Sequence, residues 1–238
     1  MAGLYKIVLK ALSIVRGTRL LDVGCASGLF CEHARVAGAE TTGIDISPAL
    51  LDLTSQRPAG TCFRLGDMAA LPFENDSFDI VTGLNVFNYT SSPQQAFREA
   101  HRVLKPGGRL AISVWENTDQ CDASAVIRAQ TSLLSAANQK IHNPFTTGND
   151  RILKTLSAKH GFREILHTEA LMIWEYPDEP TVLRAMRATG PSQWVIQMVG
   201  ESLVQDATRA ALAPYRLPQG GYRLKNHFKY FVTQKTRS

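Results

Sequence analysis

The sequence has little of what marks several classes of protein. Its 238 residues include four cysteines, and these form neither a C-x-x-C pair nor a dense framework, so we predict no zinc site and no disulfide scaffold. No apolar run approaches the ~20 residues that cross a bilayer. Charged residues are only 20% of the chain and apolar residues 44%, a composition that excludes intrinsic disorder and predicts a substantial buried core.

The sequence also lacks any concentration of charge of one sign. It has 26 Lys and Arg against 21 Asp and Glu, and the basic residues are dispersed, which disfavours nucleic acid as a partner. Lys6 and Lys10 interrupt the apolar N-terminal segment and no small-residue cleavage site follows it, which argues against a secretory signal. We therefore expect a cytoplasmic protein with one domain over residues 1–238, beginning with a helical segment over residues 1–17.

Short apolar strands alternate with helical segments in the first half of the chain. One helix begins near Leu29 and ends at Gly38, a second follows the N-cap Ser47, and a third begins at a capping box led by Ser92 and ends before a turn at Lys105–Gly108. This alternation predicts βαβ units and a parallel sheet. The predicted strands are Arg19–Val23, Thr41–Ile46, Thr61–Leu65, Phe78–Gly83 and Arg109–Val114.

The second half of the chain has a weaker pattern. Two further strands are predicted at Phe162–Trp174 and Lys229–Thr233, and glycine and proline divide residues 181–214 between them into short helices. We expect this segment to form a lid over a substrate, with Leu203, Val204 and Ala207 on one apolar helix face. The alternative is that these helices only shield the edge of the sheet. The predicted helices are Ala123–Ala137, Asp150–Lys159, Thr181–Thr189, Gln193–Val199 and Glu201–Leu212.

A glycine-rich turn follows the first strand, and an acidic residue, Asp45, ends the second. The backbone N–H groups of such a turn can approach a ligand at a helix N-terminus, and a carboxylate in an exposed cleft at the position of Asp45 can accept hydrogen bonds from a ribose diol. A nicotinamide dinucleotide is one interpretation. Its fingerprint, however, needs glycine where Ala26 and Leu29 stand, so the dinucleotide interpretation is weak.

Four motifs in register carry a more specific resemblance. They are LLDVGCASG, GIDIS, RLGDMAALPFENDSFDIV and EAHRVLKPGGRLAISVW, and together they span about residues 18–115. Their order and spacing resemble those of class I S-adenosylmethionine-dependent methyltransferases of the bacterial small-molecule type. The resemblance implies a Rossmann-like, seven-stranded, mostly parallel sheet with helices on both faces, in which residues 18–115 form the cofactor-binding core.

The resemblance also implies S-adenosyl-L-methionine as the cofactor and gives roles to single residues. Asp22 orients the methionine amino group, Asp45 binds the ribose, and Asp67 accepts from the adenine amino group. Ala26 departs from the motif, which has glycine at this position, and adds one methyl group. The implied cofactor-binding set is Asp22, Gly24, Cys25, Ala26, Gly28, Asp45, Ile46, Asp67, Met68, Gly83, Leu84 and Asn85.

The implied reaction is transfer of a methyl group to an O, N or C nucleophile of a small molecule, with proximity as the main catalytic device. No metal site is predicted, and no catalytic base is identified. His142, Asn85 and Tyr89 are the candidates by position. Two other functions stay open: a nucleotide-binding protein of this fold without methyl transfer, and an RNA methyltransferase. The oligomeric state stays open between monomer and homodimer, and no membrane partner is expected.

Overall fold

The computed structural model describes residues 2–57, 60–116, 118–135 and 150–236. The chain divides into two compact units. Unit 1 comprises Met1–Val114, Thr147–Ala170 and Phe228–Ser238, and unit 2 comprises Trp115–Thr146 and Leu171–His227. Among the described residues, none of the helices has the length and apolarity that a membrane span requires.

Seven strands form one sheet. They are β1 (Arg19–Val23), β2 (Glu40–Asp45), β3 (Thr61–Leu65), β4 (Phe78–Leu84), β5 (Leu104–Trp115), β6 (Phe162–Tyr176) and β7 (Tyr222–Lys235). Their order is β3-β2-β1-β4-β5-β7-β6, and the sheet is mostly parallel with one antiparallel hairpin. β1 pairs in parallel with β2 and β4, β2 with β3, and β4 with β5. The predicted α/β class and the seven-stranded, Rossmann-like sheet are confirmed.

Helices connect these strands, and their boundaries are close to the predicted ones. The described helices are α1 (Ala2–Leu12), α2 (Leu29–Val36), α3 (Pro48–Asp52), α4 (Pro93–Val103), α5 (Ala123–Thr131), α6 (Asp150–Lys159), α7 (Glu179–Arg187), α8 (Gly190–Val199) and α9 (Glu201–Leu212). The predicted N-cap of α3 is confirmed, because Ser47 Oγ accepts a hydrogen bond from Leu50 N at 3.4 Å. The helix predicted to reach Ala137 ends at Thr131, and its predicted last two residues lie outside the described ranges.

Two predictions of local structure are wrong. Ser92 precedes α4, but its side chain does not cap the helix, and its own N–H instead bonds the Thr90 hydroxyl at 3.1 Å. The turn predicted at Lys105–Gly108 lies inside β5. The pairing of β4 with β5 passes from Phe78–Leu104 to Ile80–Arg109, so the extra residues form a bulge in a continuous strand.

The core of unit 1 lies on the central strands. Leu21, Val81 and Ile112 come from β1, β4 and β5 and are completely buried, and Phe97 from α4 packs in the same cluster. Parallel strands covered on both faces read as continuous apolar runs, which is why their positions could be predicted from the sequence. This core fixes the carboxyl ends of β1, β2 and β4, where the candidate site residues stand.

The helices of unit 2 are joined by a buried polar network. Gln130 on α5 donates through Nε2 to Thr208 Oγ1 on α9 at 2.8 Å and accepts through Oε1 from Ser192 Oγ on α8 at 2.7 Å. Thr208 Oγ1 also donates to Val204 O at 2.7 Å. A buried polar side chain destabilises a protein unless it is hydrogen-bonded. Here each of these side chains is hydrogen-bonded to a group on another helix or on its own helix.

The predicted apolar face of α9 needs a correction. Val204 is buried as expected, but Leu203 is 56% exposed, and the buried stripe of the helix continues through Thr208 and Leu212. These positions are four residues apart and therefore share a face. Thr208 can take a core position because its hydroxyl is paired within the network.

Candidate cofactor site

The glycine-rich loop between β1 and α2 is fastened to the end of β2. Gly24 N and Cys25 N both donate to Ile44 O, at 2.8 and 3.1 Å. Gly28 is the residue before α2, with φ of +75°, and its N–H bonds Cys25 O at 2.9 Å. The loop therefore has a defined shape that places its backbone at the N-terminus of α2.

Two glycines of this loop are required by packing as well as by conformation. A Cβ on Gly24 would lie 2.3 Å from Val86 Cγ2, and a Cβ on Gly28 would lie 2.5 Å from Phe63 Cζ. Both residues also have positive φ, which side chains rarely adopt. These two positions match the first and last glycines of the predicted motif.

Ala26 takes a backbone conformation that glycine favours. Its φ is +47°, in the left-handed region, which costs an alanine about 1 kcal/mol. Its N–H donates to Asp45 Oδ2 at 2.8 Å. This hydrogen bond holds Ala26 in the left-handed conformation. The loop therefore keeps its shape with alanine in place of glycine, but the protein is less stable for it.

Asp45 ties the loop to the segment after β2. Its Oδ2 accepts from Ala26 N and its Oδ1 accepts from Ser47 N at 2.9 Å. The side chain is only 8% exposed, so the expectation that it stands in an exposed cleft is wrong. Each carboxylate oxygen can accept a second hydrogen bond, so both are still able to receive a donor from a ligand.

Asp22 is the most buried acid of the site. It is 3% exposed, its Oδ1 accepts from Thr82 Oγ1 at 2.6 Å, and its Oδ2 accepts from Cys31 Sγ at 3.8 Å. Both donors are neutral. Burial raises the pKa of the Asp22 carboxyl to about 7, because desolvation outweighs these two hydrogen bonds.

Three residues near Asp22 are absent from the predicted cofactor-binding set. Thr82 and Cys31 hydrogen-bond its carboxylate, and Tyr5 on α1 lies edge-on to Phe30 with ring centroids 5.3 Å apart. Burial raises the pKa of the Tyr5 hydroxyl to about 12, with the negative charge of Asp22 as the next cause. Tyr5 and Thr82 are far from Asp22 in the sequence, and no local pattern indicates that they approach it.

The predicted adenine residues, Asp67 and Met68, follow β3, and Ile46 of the predicted cofactor-binding set follows β2. Asp67 is exposed, and its Oδ1 accepts from Ala69 N at 2.9 Å, which closes a local turn. Met68 is partly buried against the core of unit 1. Ile46 is 72% exposed directly after Asp45, which is unusual for an isoleucine.

The end of β4 carries a strained residue with an unpaired acceptor. Asn85 follows β4 with φ of +59°, and its N–H donates to Ser113 O at 2.8 Å. Its side-chain Oδ1 is buried and has no hydrogen-bond partner among the described residues. A buried, unpaired acceptor is costly, and a ligand donor would relieve that cost.

The remaining predicted residues have simpler surroundings. Gly83 lies in β4 and a Cβ there would be 2.4 Å from the Phe87 ring, and Leu84 ends the strand. Tyr89 N donates to Val86 O at 2.9 Å, which makes a turn after the strand. Of the three candidates for catalysis, His142 lies outside the described residues.

The comparisons with known proteins agree with this geometry. A model of the methyltransferase domain matches residues 21–112. The chain is 27% identical over 216 residues to malonyl-[acyl-carrier protein] O-methyltransferase of Serratia marcescens, covering 91% of this chain and 80% of that one. It is 34% identical over 119 residues to ubiquinone biosynthesis O-methyltransferase of Xanthomonas oryzae pv. oryzae, covering 48% and 50%. Residues 21–112 therefore match a methyltransferase domain, and the similarity to curated O-methyltransferases extends beyond that domain.

Solved structures show the same fold at low sequence identity. A geranyl diphosphate methyltransferase in complex with geranyl diphosphate and sinefungin matches with a TM-score of 0.59 and 17% identity, covering 99% of this chain and 77% of that one. Haemonchus contortus phosphoethanolamine N-methyltransferase 2 in complex with S-adenosylhomocysteine matches with a TM-score of 0.61 and 17% identity, covering 99% and 53%. At this identity the two likenesses show that the chain shares the fold of these methyltransferases.

Proposed function

We propose that this protein is an S-adenosylmethionine-dependent methyltransferase that transfers the methyl group to a carboxylate oxygen of an acyl acceptor. The observation that carries the proposal is the extent of the similarity. The relative named as a malonyl-[acyl-carrier protein] O-methyltransferase matches 91% of the chain, whereas the ubiquinone relative matches 48%. A match of 91% includes most of unit 2, so the similarity to this relative extends well beyond the predicted cofactor-binding core at residues 18–115.

The proposal assigns the cofactor to the loop between β1 and α2. Gly24 and Gly28 give the loop its positive-φ backbone in close contact with Val86 and Phe63, and the neutral surroundings of the Asp22 carboxylate suit an ammonium group. We assign the methionine end to this loop and to Asp22, with Cys25 and Ala26 contributing backbone. The ribose is assigned to Asp45, the adenine to Ile46, Asp67 and Met68, and the region around the sulfonium to Gly83, Leu84 and Asn85.

The chemistry then needs little from the protein beyond positioning. When bound, S-adenosylmethionine supplies an electrophilic methyl group on its sulfonium. A carboxylic acid with an ordinary pKa near 4 is ionised at neutral pH, so no base has to remove a proton from the nucleophile. The residues of the site hold the two reactants in line and exclude water, and such alignment is able to lower a barrier by ~7–11 kcal/mol.

The test distinguishes a methyl ester from other methylated products. The purified protein is incubated with methyl-labelled S-adenosylmethionine and, in separate reactions, the carrier-protein thioester of malonate, a catechol and a demethylated quinone. Alkali releases labelled methanol from a methyl ester and leaves aryl ethers and C-methyl groups intact. We expect alkali-labile label with the malonyl thioester, and label found only in alkali-stable products would overturn the proposal. Addition of S-adenosylhomocysteine controls for transfer that does not use the cofactor site.

A further inference from the structure

Unit 2 contains a cavity of its own between helices α7 and α9. Its volume is about 350 Å³, within the ~300–1,000 Å³ that is usual for small-molecule sites. Its lining has no residue in common with the candidate cofactor site. The lining residues are Gln130, Glu179, Pro180, Leu183, Arg184, Arg187, Ile196, Glu201, Val204, Gln205, Thr208 and Arg209.

Two ion pairs join the helices on either side of the cavity. Arg187 near the end of α7 pairs with Glu201 at the start of α9 at 3.0 Å, and Glu179 at the start of α7 pairs with Arg209 near the end of α9 at 2.6 Å. Exposed ion pairs contribute little to stability. Because they connect opposite ends of the two helices, they define the length of the cavity between them.

Arg184 is the lining arginine without an acidic partner. Among the described residues it forms no ion pair, and its hydrogen bond to Thr181 Oγ1 is long, at 3.5 Å. Asp178 lies close enough to interact electrostatically with Arg184, but its Oδ1 already accepts from Thr181 N at the start of α7. The guanidinium of Arg184 therefore keeps donors for a ligand, and a guanidinium matches the two oxygens of a carboxylate.

The rest of the lining is apolar or internally satisfied. Leu183, Ile196 and Val204 supply aliphatic surface, and Leu183 and Val204 are buried. Gln130 and Thr208 are also buried, but they are paired with each other and with their own network. Three arginines and two glutamates line the cavity, so its excess charge is that of one cation.

We propose that this cavity is a binding site for an apolar molecule that carries one carboxylate. The carboxylate pairs with Arg184, and the apolar body lies against Leu183, Ile196 and Val204. A dianion such as a phosphate ester fits less well, because only one guanidinium is free of an acidic partner. The site goes beyond the proposed function, since its occupancy does not depend on which acceptor is methylated.

Sodium octanoate is the probe, with 1-octanol as the uncharged molecule of the same length. Binding to the full chain is measured by calorimetry without cofactor, for the parent protein and for Arg184→Gln. We expect octanoate to bind the parent and to bind Arg184→Gln about tenfold more weakly or worse, the loss expected for a charge-assisted hydrogen bond. The affinity for 1-octanol should be the same in both proteins.

Two further variants separate the site from general effects. Arg223→Gln removes an arginine of unit 2 that pairs with Glu175 outside the cavity, and it should leave octanoate binding unchanged. Gln205→Trp fills the cavity from an exposed position and should abolish binding. Equal octanoate affinity in the parent and Arg184→Gln, or failure of the parent to bind octanoate, overturns the proposal.

One more reaction tests whether the bound carboxylate is a methyl acceptor or an effector. Labelled S-adenosylmethionine and octanoate are incubated with the protein, and the products are examined for labelled methyl octanoate. Labelled ester identifies the carboxylate as a methyl acceptor, and binding without ester identifies it as an effector. Either result keeps the carboxylate site, and neither bears on the test of the malonyl thioester.

Discussion

Asp22 Oδ1 and Thr82 Oγ1 are 2.6 Å apart, and the two residues are also partners in the pairing of β1 with β4. The hydrogen bond therefore crosses between two neighbouring central strands, near the carboxyl end of β1 where the cofactor loop begins. The hydrogen bond is short, but its donor is a neutral hydroxyl. It therefore does not compensate for the burial of the Asp22 negative charge. This imbalance leads to the first prediction.

The stability of the cofactor-free protein should depend on the charge of Asp22. Because burial raises the pKa of Asp22 to about 7, the folded chain holds a proton between about pH 4 and pH 7 that the unfolded chain has released. The contribution of Asp22 to stability is thus greatest at low pH and is lost as the pH rises towards 7. Asp22→Asn lacks this dependence. The free energy of unfolding of the parent, relative to Asp22→Asn, should fall by up to ~4 kcal/mol from pH 4 to pH 8.

Urea denaturation of both proteins at several pH values measures that difference. The comparison with Asp22→Asn removes the contribution of all other titrating groups, which the two proteins share. A difference between parent and variant that stays constant from pH 4 to pH 8 would contradict the pKa of Asp22.

Asp45→Ala should weaken cofactor binding by about 1.5–3 kcal/mol, the value of hydrogen bonds to a charged group. The variant should also be less stable than the parent, because Ala26 N and Ser47 N lose their acceptor. Calorimetry with S-adenosylhomocysteine measures the affinity. Asp79→Ala is the control, since it removes a carboxylate that pairs with Lys105 outside the candidate site, and it should bind like the parent. Parent-like affinity in a well-folded Asp45→Ala protein would show that the ribose assignment is wrong.

Gly28→Ala should lower the stability of the fold by more than backbone strain alone would. Gly17 has a similar positive φ, but a Cβ there would have no atom within 4 Å, whereas at Gly28 it would meet the Phe63 ring. Gly17→Ala should therefore lose about 1 kcal/mol of stability and Gly28→Ala about 2–4 kcal/mol. Chemical denaturation measures both. The double variant Gly28→Ala, Phe63→Ala should lose less than the two single changes added together, and simple additivity would contradict the contact.

The lid over the acceptor, residues 181–214, stays a prediction that substitutions in α8 can test. Met198 is 51% exposed and Trp194 is partly buried against the apolar cluster of unit 2. Met198→Ala and the double change with Trp194→Ala should alter acceptor turnover while cofactor affinity stays within about threefold, or ~0.7 kcal/mol. Gln197→Ala, at an exposed neighbouring position, serves as the control. Equal loss of cofactor binding in the folded double variant would assign the segment to the cofactor site.

The elements of the cofactor half could be predicted because their signals are local. β1 and β3 have the predicted boundaries, and each strand ends directly before a glycine, Gly24 or Gly66. The bulge in β5 was not predicted, because Pro106 and the two glycines after it are typical of a turn, and only the pairing with β4 shows that the strand continues. The residues of a strand do not indicate which other strand it pairs with.

Long-range contacts account for the other differences. Thr82 and Tyr5 are distant from Asp22 in the sequence and come close to it through tertiary contacts, so no local sequence signal indicates their part in the site. The exposure of Leu203 has a similar cause, since Thr208 occupies the core-facing position by pairing with Gln130 on another helix. Which face of α9 is buried thus depends on the hydrogen-bond partner of Thr208. That partner, Gln130, is distant from Thr208 in the sequence.

The position of β7 in the sheet affects how the fold can be assembled. β7 is later in the chain than the other strands, yet it lies between β5 and β6. Until Tyr222–Lys235 has been synthesised, β6 has no neighbour to pair with and one edge of β5 stays open. Strand pairings between distant residues form slowly, and open edges favour association with other chains. The cofactor half can complete its central pairings early in synthesis, whereas closing the sheet beside it has to wait for the last strand.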